Sequence, residues 1–285
     1  MRSEWMGRRP QPRLSLRWLA VYVTVLCLLV TVSPVAAHVV VHPARIEATV
    51  EDGTQLPPIE VTNRGERPVR VLAYTGFGGH DLRGAPRFRD DPAARQASGQ
   101  ILRLDKEQLY VPPGGTARVG ATVHLPPGFS GGLYPVVFLE VQPVDAAASG
   151  GVQAVGRVAV LTLLSAGGTP AVQAEEAVVR PGSAVGTVEV AVRVRNEGDL
   201  HALAAGTVAI SDAAGVPLAE LPLTPATILP GHARELAIQW LPPATAIGPY
   251  VATVHMDEPG DPSPLQVVFI LEPVPAVADA GGAGR

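Results

Sequence analysis

Val188-Glu189-Val190-Ala191-Val192-Arg193-Val194-Arg195-Asn196 decides the class of fold. Its four valines occupy every second position, while Glu189, Arg193 and Arg195 share the opposite face. A side-chain period of two belongs to a strand with one face against a core and the other in water. Asn196-Glu197-Gly198 then closes the run with residues that favour turns.

The same pattern recurs upstream, where Ala117, Val119, Ala121, Val123 and Leu125 alternate with Thr116, Arg118, Gly120, Thr122 and His124. Between such runs stand Pro112-Pro113-Gly114-Gly115, Pro126-Pro127-Gly128, Pro181-Gly182, Pro230-Gly231 and Pro242-Pro243, which set turns and stop helices. The reading contains no amphipathic helix. Many short strands with regular turns predict an all-β chain of tandem immunoglobulin-like β-sandwich domains rather than an α/β enzyme fold.

An internal repeat sets the number of domains at two. Asn63-Arg64-Gly65, Pro113-Gly114, Leu125-Pro126-Pro127 and Gly132-Leu133-Tyr134 are followed in the second half by Asn196-Glu197-Gly198, Pro230-Gly231, Leu241-Pro242-Pro243 and Gly248-Pro249-Tyr250. Aligned on the Pro-Gly turn, Val119, Ala121 and Val123 match Leu236, Ile238 and Trp240, and the recurring Tyr134 and Tyr250 are expected to pack in their sandwiches. The first copy is longer between its asparagine and its Pro-Gly turn, so an inserted loop is expected near 76–100. Its charged residues Arg83, Arg87, Arg89, Asp90 and Asp91 are candidate binding residues, because loops on a rigid sandwich serve as recognition surfaces. The expected domains are 38–168 and 171–273, followed by a small-residue tail at 274–285.

Residues 1–37 read as a cleaved secretory signal peptide. Arg2, Arg8, Arg9, Arg13 and Arg17 precede an apolar run from Trp18 to Val32, and Val35-Ala36-Ala37 supplies the small residues of a cleavage site. Cys27, the one cysteine, leaves with the signal, so packing rather than a disulfide must hold the exported chain. The whole chain carries a formal charge of −4, and removing five arginines and Glu4 takes it to −8. Such a charge argues against nucleic acid as a partner. The expected location is the cell surface, or the periplasm in a cell with two membranes, with no transmembrane anchor in the exported chain.

Three constellations invite a chemical reading. Gly128-Phe129-Ser130-Gly131-Gly132 fits the G-x-S-x-G pattern, but a hydrolase elbow needs a helix after the serine, and the apolar run from Leu133 to Val141 reads as a strand. His38 would become the new N-terminus, and with His42 close by it is a weak candidate for a copper-binding histidine brace. Asp257, Glu258 and Asp261 flank Pro259-Gly260 and read as an acidic hairpin turn. The expectation is a non-enzymatic protein with no cofactor.

Taken together, Val41-His42-Pro43-Ala44, Ile59-Glu60-Val61-Thr62-Asn63, the run from Val111 through Tyr134, Arg195 to His201, Gly206-Thr207-Val208 and Ile228-Leu229-Pro230-Gly231 resemble the WxL-interacting family of cell-surface proteins. That resemblance implies peptidoglycan or another wall polymer as partner of the first domain, and WxL-type or other surface proteins as partners of the second. Members usually end in a transmembrane helix and a basic tail, which this sequence lacks. The first domain is also similar to pilus-chaperone domains, which lend an edge strand to a client. That similarity offers an assembly chaperone as the alternative, although no basic pair to grip a client's end can be nominated.

Overall fold

Alternation becomes layering once each strand finds the face it must cover. The computed structural model describes residues 39–144, 155–243, 246–257 and 264–271, which form two immunoglobulin-like β-sandwiches in tandem. The first contains β1 (Val39–His42), β2 (Arg45–Thr49), β3 (Ile59–Asn63), β4 (Val69–His80), β5 (Pro86–Arg89), helix α1 (Pro92–Ile101), β6 (Leu102–Leu104), β7 (Gln108–Val111), β8 (Thr116–Val119), β9 (Ala121–Val123), β10 (Gly132–Leu133), β11 (Pro135–Pro143) and β12 (Gly156–Ser165). The second contains β13 (Val172–Pro181), β14 (Val188–Asn196), β15 (Ala202–Ala204), β16 (Gly206–Asp212), β17 (Pro217–Pro222), β18 (Ala226–Ile228), β19 (Ala233–Trp240), β20 (Gly248–Met256) and β21 (Leu265–Leu271).

In the first sandwich the sheet β1-β3-β8 faces a larger sheet built on β12-β11-β4, with β5 and β7 sharing the far edge of β4. In the second, β13-β14-β19 faces β17-β16-β20-β21. Val190, Val192 and Val194 are fully buried in the second core, each contributing roughly 1.5–3 kcal/mol relative to exposure. Trp240 packs there against Tyr250 and Phe269, with ring centroids 5.9 and 6.3 Å away.

The sequence repeat is a structural repeat. Ile59 pairs with Val119, and Val192 with Leu236, so both strands meet their partners four residues before the asparagine. Each asparagine is fully buried and knots its turn in the same way. Asn63 Nδ2 donates to the carbonyls of Arg67 (2.7 Å) and Val111 (3.1 Å) while its Oδ1 accepts from Gly65 N. Asn196 Nδ2 donates to Leu200 (2.7 Å) and Ile228 (3.0 Å), and its Oδ1 accepts from Gly198 N. The side chain supplies hydrogen bonds that the backbone lacks where strand turns into loop.

The segment expected as an inserted polar loop folds instead into β5 and α1. This corrects the expectation of no helix. Asp91 caps α1, its Oδ1 accepting from Ala93 N and Ala94 N at 3.1 Å, and Pro92 stands in the first turn where no N–H is needed. The helix buries only Ala94 and Ser98, side chains too small to leave an apolar stripe in the sequence. Ser98 Oγ donates to Thr75 Oγ1 at 2.8 Å, fixing the helix to β4.

Residues 1–38, which hold the expected signal peptide and His38, lie outside the described residues, as do Glu258, Asp261 and the tail at 274–285. No helix among the described residues is long and apolar enough to cross a membrane.

Candidate functional site

The chain's first strand divides between two sheets at Pro43. β1 pairs with β3, whereas β2 lies parallel to the end of β12 in the other sheet, from Leu161 opposite Arg45 to Ser165 opposite Thr49. The opposite side of β12 is covered by β11 along Gly156 to Leu161. Gly156–Val160 therefore has no strand partner on its outer side among the described residues.

The orientation of that open edge follows from one bond. Leu161 N donates to Ala44 O at 3.1 Å, on the outer side. Backbone groups of alternate residues face the same way along a strand, so Arg157 and Ala159 also present N–H and C=O outward. The edge is a short, unpaired template that ends where β2 begins.

At that end lies a crevice of about 200 Å³ between the two sandwiches, lined by Arg45, His80, Tyr134, Leu161, Leu229 and Arg234 among others. Arg45 Nη2 holds Glu47 Oε2 at 2.7 Å, and Arg234 Nη1 donates to Thr227 O at 3.2 Å. This arginine pair was not legible in the sequence, where the two residues stand far apart in different domains.

Two contacts join the domains on either side of the crevice. In one, Tyr134 Oη accepts from His201 N at 2.8 Å, His201 Nε2 lies 3.5 Å from Glu47 Oε1, and Gly132 N donates to Asp199 O at 2.7 Å. Burial pushes the Tyr134 phenol up to about 12. Tyr134 is thus a junction residue, unlike Tyr250, which packs in the second core as expected. In the other contact, the hairpin tip between β4 and β5 reaches the second domain. His80 Nε2 accepts from Leu229 N at 3.2 Å, and Glu235 N donates to Leu82 O at 2.7 Å.

The candidate binding residues of the insertion are largely engaged within it. Asp81, at the hairpin tip, accepts from Arg83 N, Ala85 N and Arg87 Nη2. These bonds, that from Ala85 first, hold its carboxyl below the usual range. Asp91 caps α1, and Arg89 lies 5.7 Å from the Phe77 ring centre. Asp90 Oδ2 bonds both Arg95 (3.3 Å) and Arg157 (2.7 Å). Arg157 in turn lies 3.9 Å above the Phe138 ring, so the insertion grips the open edge strand from one face.

His42 is exposed at the end of β1, opposite Glu60. Among the described residues no group of three or more His, Cys, Asp or Glu gathers as metal ligands. The G-x-S-x-G segment forms a turn with Gly128 and Gly131 at positive φ, and strands β10 and β11 follow it.

No protein-family model matches the chain, and no curated protein matches it. Among solved structures it is similar to the class 5 fimbriae chaperone CfaA, at 12% identity over 83% of this chain and 100% of that one, with a TM-score of 0.44. A chaperone–tip adhesin complex of CFA/I fimbriae gives 13%, 84%, 100% and 0.44, and the Pseudomonas aeruginosa CupB2 chaperone gives 13%, 82%, 100% and 0.39. The expectation of a WxL-interacting, peptidoglycan-binding wall scaffold is corrected by these findings, since the similar structures are fimbrial chaperones and no family or curated match supports the WxL-interacting assignment. The motifs behind that expectation encode the asparagine knots and Pro-Gly turns of the sandwiches. They carry the fold and say nothing about a wall polymer.

Proposed function

We propose that this chain is an exported, non-enzymatic protein that holds an extended segment of a partner protein on the edge of β12, in the manner of an assembly chaperone. The observation carrying this reading is the open edge at Gly156–Val160, closed from Leu161 onward by β2. Strand addition at such an edge draws affinity from main-chain hydrogen bonds. An added strand runs into the arginine-lined crevice, where Arg45 and Arg234 favour an acidic group such as a C-terminal carboxylate. Export rests on the leader-like residues 1–37.

The test is binding of a synthetic ten-residue peptide alternating valine and threonine, with a free or an amidated C-terminus, measured by calorimetry. Ala159→Pro removes an outward N–H and leaves the ladder to β11 intact, because proline is tolerated where the lost donor faces solvent. It is expected to weaken binding about tenfold or more, the equivalent of one good hydrogen bond and its geometry. The free carboxylate is expected to outbind the amide. An absence of binding to the wild-type chain, or equal binding to Ala159→Pro, would exclude the edge as the site.

A further inference from the structure

We propose that the hairpin tip at His80 is a proton-sensitive latch between the two domains, which mild acid releases to widen the crevice while the Tyr134–His201 contact keeps the domains joined. This rests on the geometry of the junction and is independent of what the β12 edge binds.

The latch depends on an imidazole acting as acceptor. Leu229 N–H points at His80 Nε2 across 3.2 Å, so that nitrogen must be unprotonated. The ring proton sits on Nδ1, 3.1 Å from Asp81 O. A proton taken from solvent onto Nε2 turns the acceptor into a donor facing another donor, and the bond between domains is lost.

The surroundings offer that proton little compensation. The second domain brings His232, whose ring centre lies 5.0 Å from that of His80, together with Arg234 and Glu235, while Arg45 and Tyr134 face it across the crevice. On the hairpin itself the Asp81 carboxylate is committed to Arg87 and loop amides, and Arg83 lies near Glu235. Burial pushes His80 below the usual histidine value, the Asp81 carbonyl pulls it part of the way back, and His232 and Arg234 push it down again. A docked state that disfavours the proton is at full strength above the free-histidine pKa of about 6.5 and weakens by up to about tenfold per pH unit below it.

The second contact responds differently. It rests on main-chain donors, since His201 N donates to Tyr134 Oη and Gly132 N donates to Asp199 O, and neither bond needs an imidazole as acceptor. The domains therefore separate at the hairpin end and stay pinned at the Tyr134 end.

The experiment is amide hydrogen exchange on the intact chain at pH 7.5, 6.5 and 5.5, corrected for intrinsic rates. Protection of peptides covering 227–236 is expected to fall about fivefold between pH 6.5 and 5.5, while peptides covering 199–203 hold. His80→Gln keeps an acceptor without a titration and is expected to flatten that fall. His232→Gln leaves His80 in place and is expected to retain it. Constant protection in the wild type, an unchanged fall in His80→Gln, a lost fall in His232→Gln, or equal loss through both cores would each overturn the latch.

Discussion

The two sandwiches share the asparagine knot and the register of their central strands, yet they treat the opening strand in opposite ways. In the first domain that strand divides at Pro43, and its second half covers Leu161–Ser165 of β12. In the second, β13 stays on β14 for its whole length, and among the described residues β21 has no strand partner on its outer edge from Leu265 to Leu271. Val268 and Ile270 on β21 are 68% and 71% exposed. A division of one strand thus converts a long open edge into a short one that ends at a crevice.

Their cores differ too, and the largest expected effect separates them there. Trp240→Ala removes the centre of an aromatic cluster and is expected to cost about 3–5 kcal/mol in the second domain, whereas Val123→Ala, at the matching position, costs about 2 kcal/mol in the first. Urea denaturation followed by far-ultraviolet dichroism reads both. Similar losses would mean that the two cores are equivalent despite their composition.

The asparagine knots should then prove interchangeable. Asn63→Ala and Asn196→Ala each strip two carbonyls, one of them buried, of a donor and are each expected to cost about 2–4 kcal/mol. If the two domains melt separately, each substitution moves one transition in calorimetry. Movement of both together would show that the junction couples their unfolding.

Edges give a smaller effect on stability and a larger one on solubility. Val268→Lys is expected to change stability by less than about 0.5 kcal/mol and to reduce self-association in sedimentation, because a charge on an open edge opposes pairing. The smallest effect is electrostatic. In the second domain, hydrogen bonds from Arg180 to Glu235 and from Arg195 to Glu175 hold both carboxyls below their usual value. Groups of that sign stabilise fully above the unfolded value near 4.5 and lose the contribution as pH falls through the depressed folded value. Acid titration from pH 6 to 3 should therefore show a slight decline confined to the region below about 4.5, smaller in 0.5 M salt.

The sandwiches were legible because valine at every second position leaves a strand no other way to bury its side chains. The repeat was legible for a similar reason, since the Asn-x-Gly and Pro-Gly turns need those residues locally. Helix α1 was not, because its contact with β4 is made by Ala94 and Ser98; only Asp91-Pro92, a capping residue before a first-turn proline, marked its start. The open edge and the Arg45–Arg234 crevice were invisible, because the first is a relation between distant strands of one sandwich and the second a relation between residues of both. Tyr134 misled for the same reason. Its sequence context matches that of Tyr250, but its neighbour in space is the other domain.

The insertion that carries β5 and α1 touches both ends of this arrangement. Through Asp90 it holds Arg157 on the open edge, and through His80 and Leu82 it holds the second domain. Both contacts flank one β4–β5 hairpin, so a single short segment braces the edge strand and the junction between the domains at once.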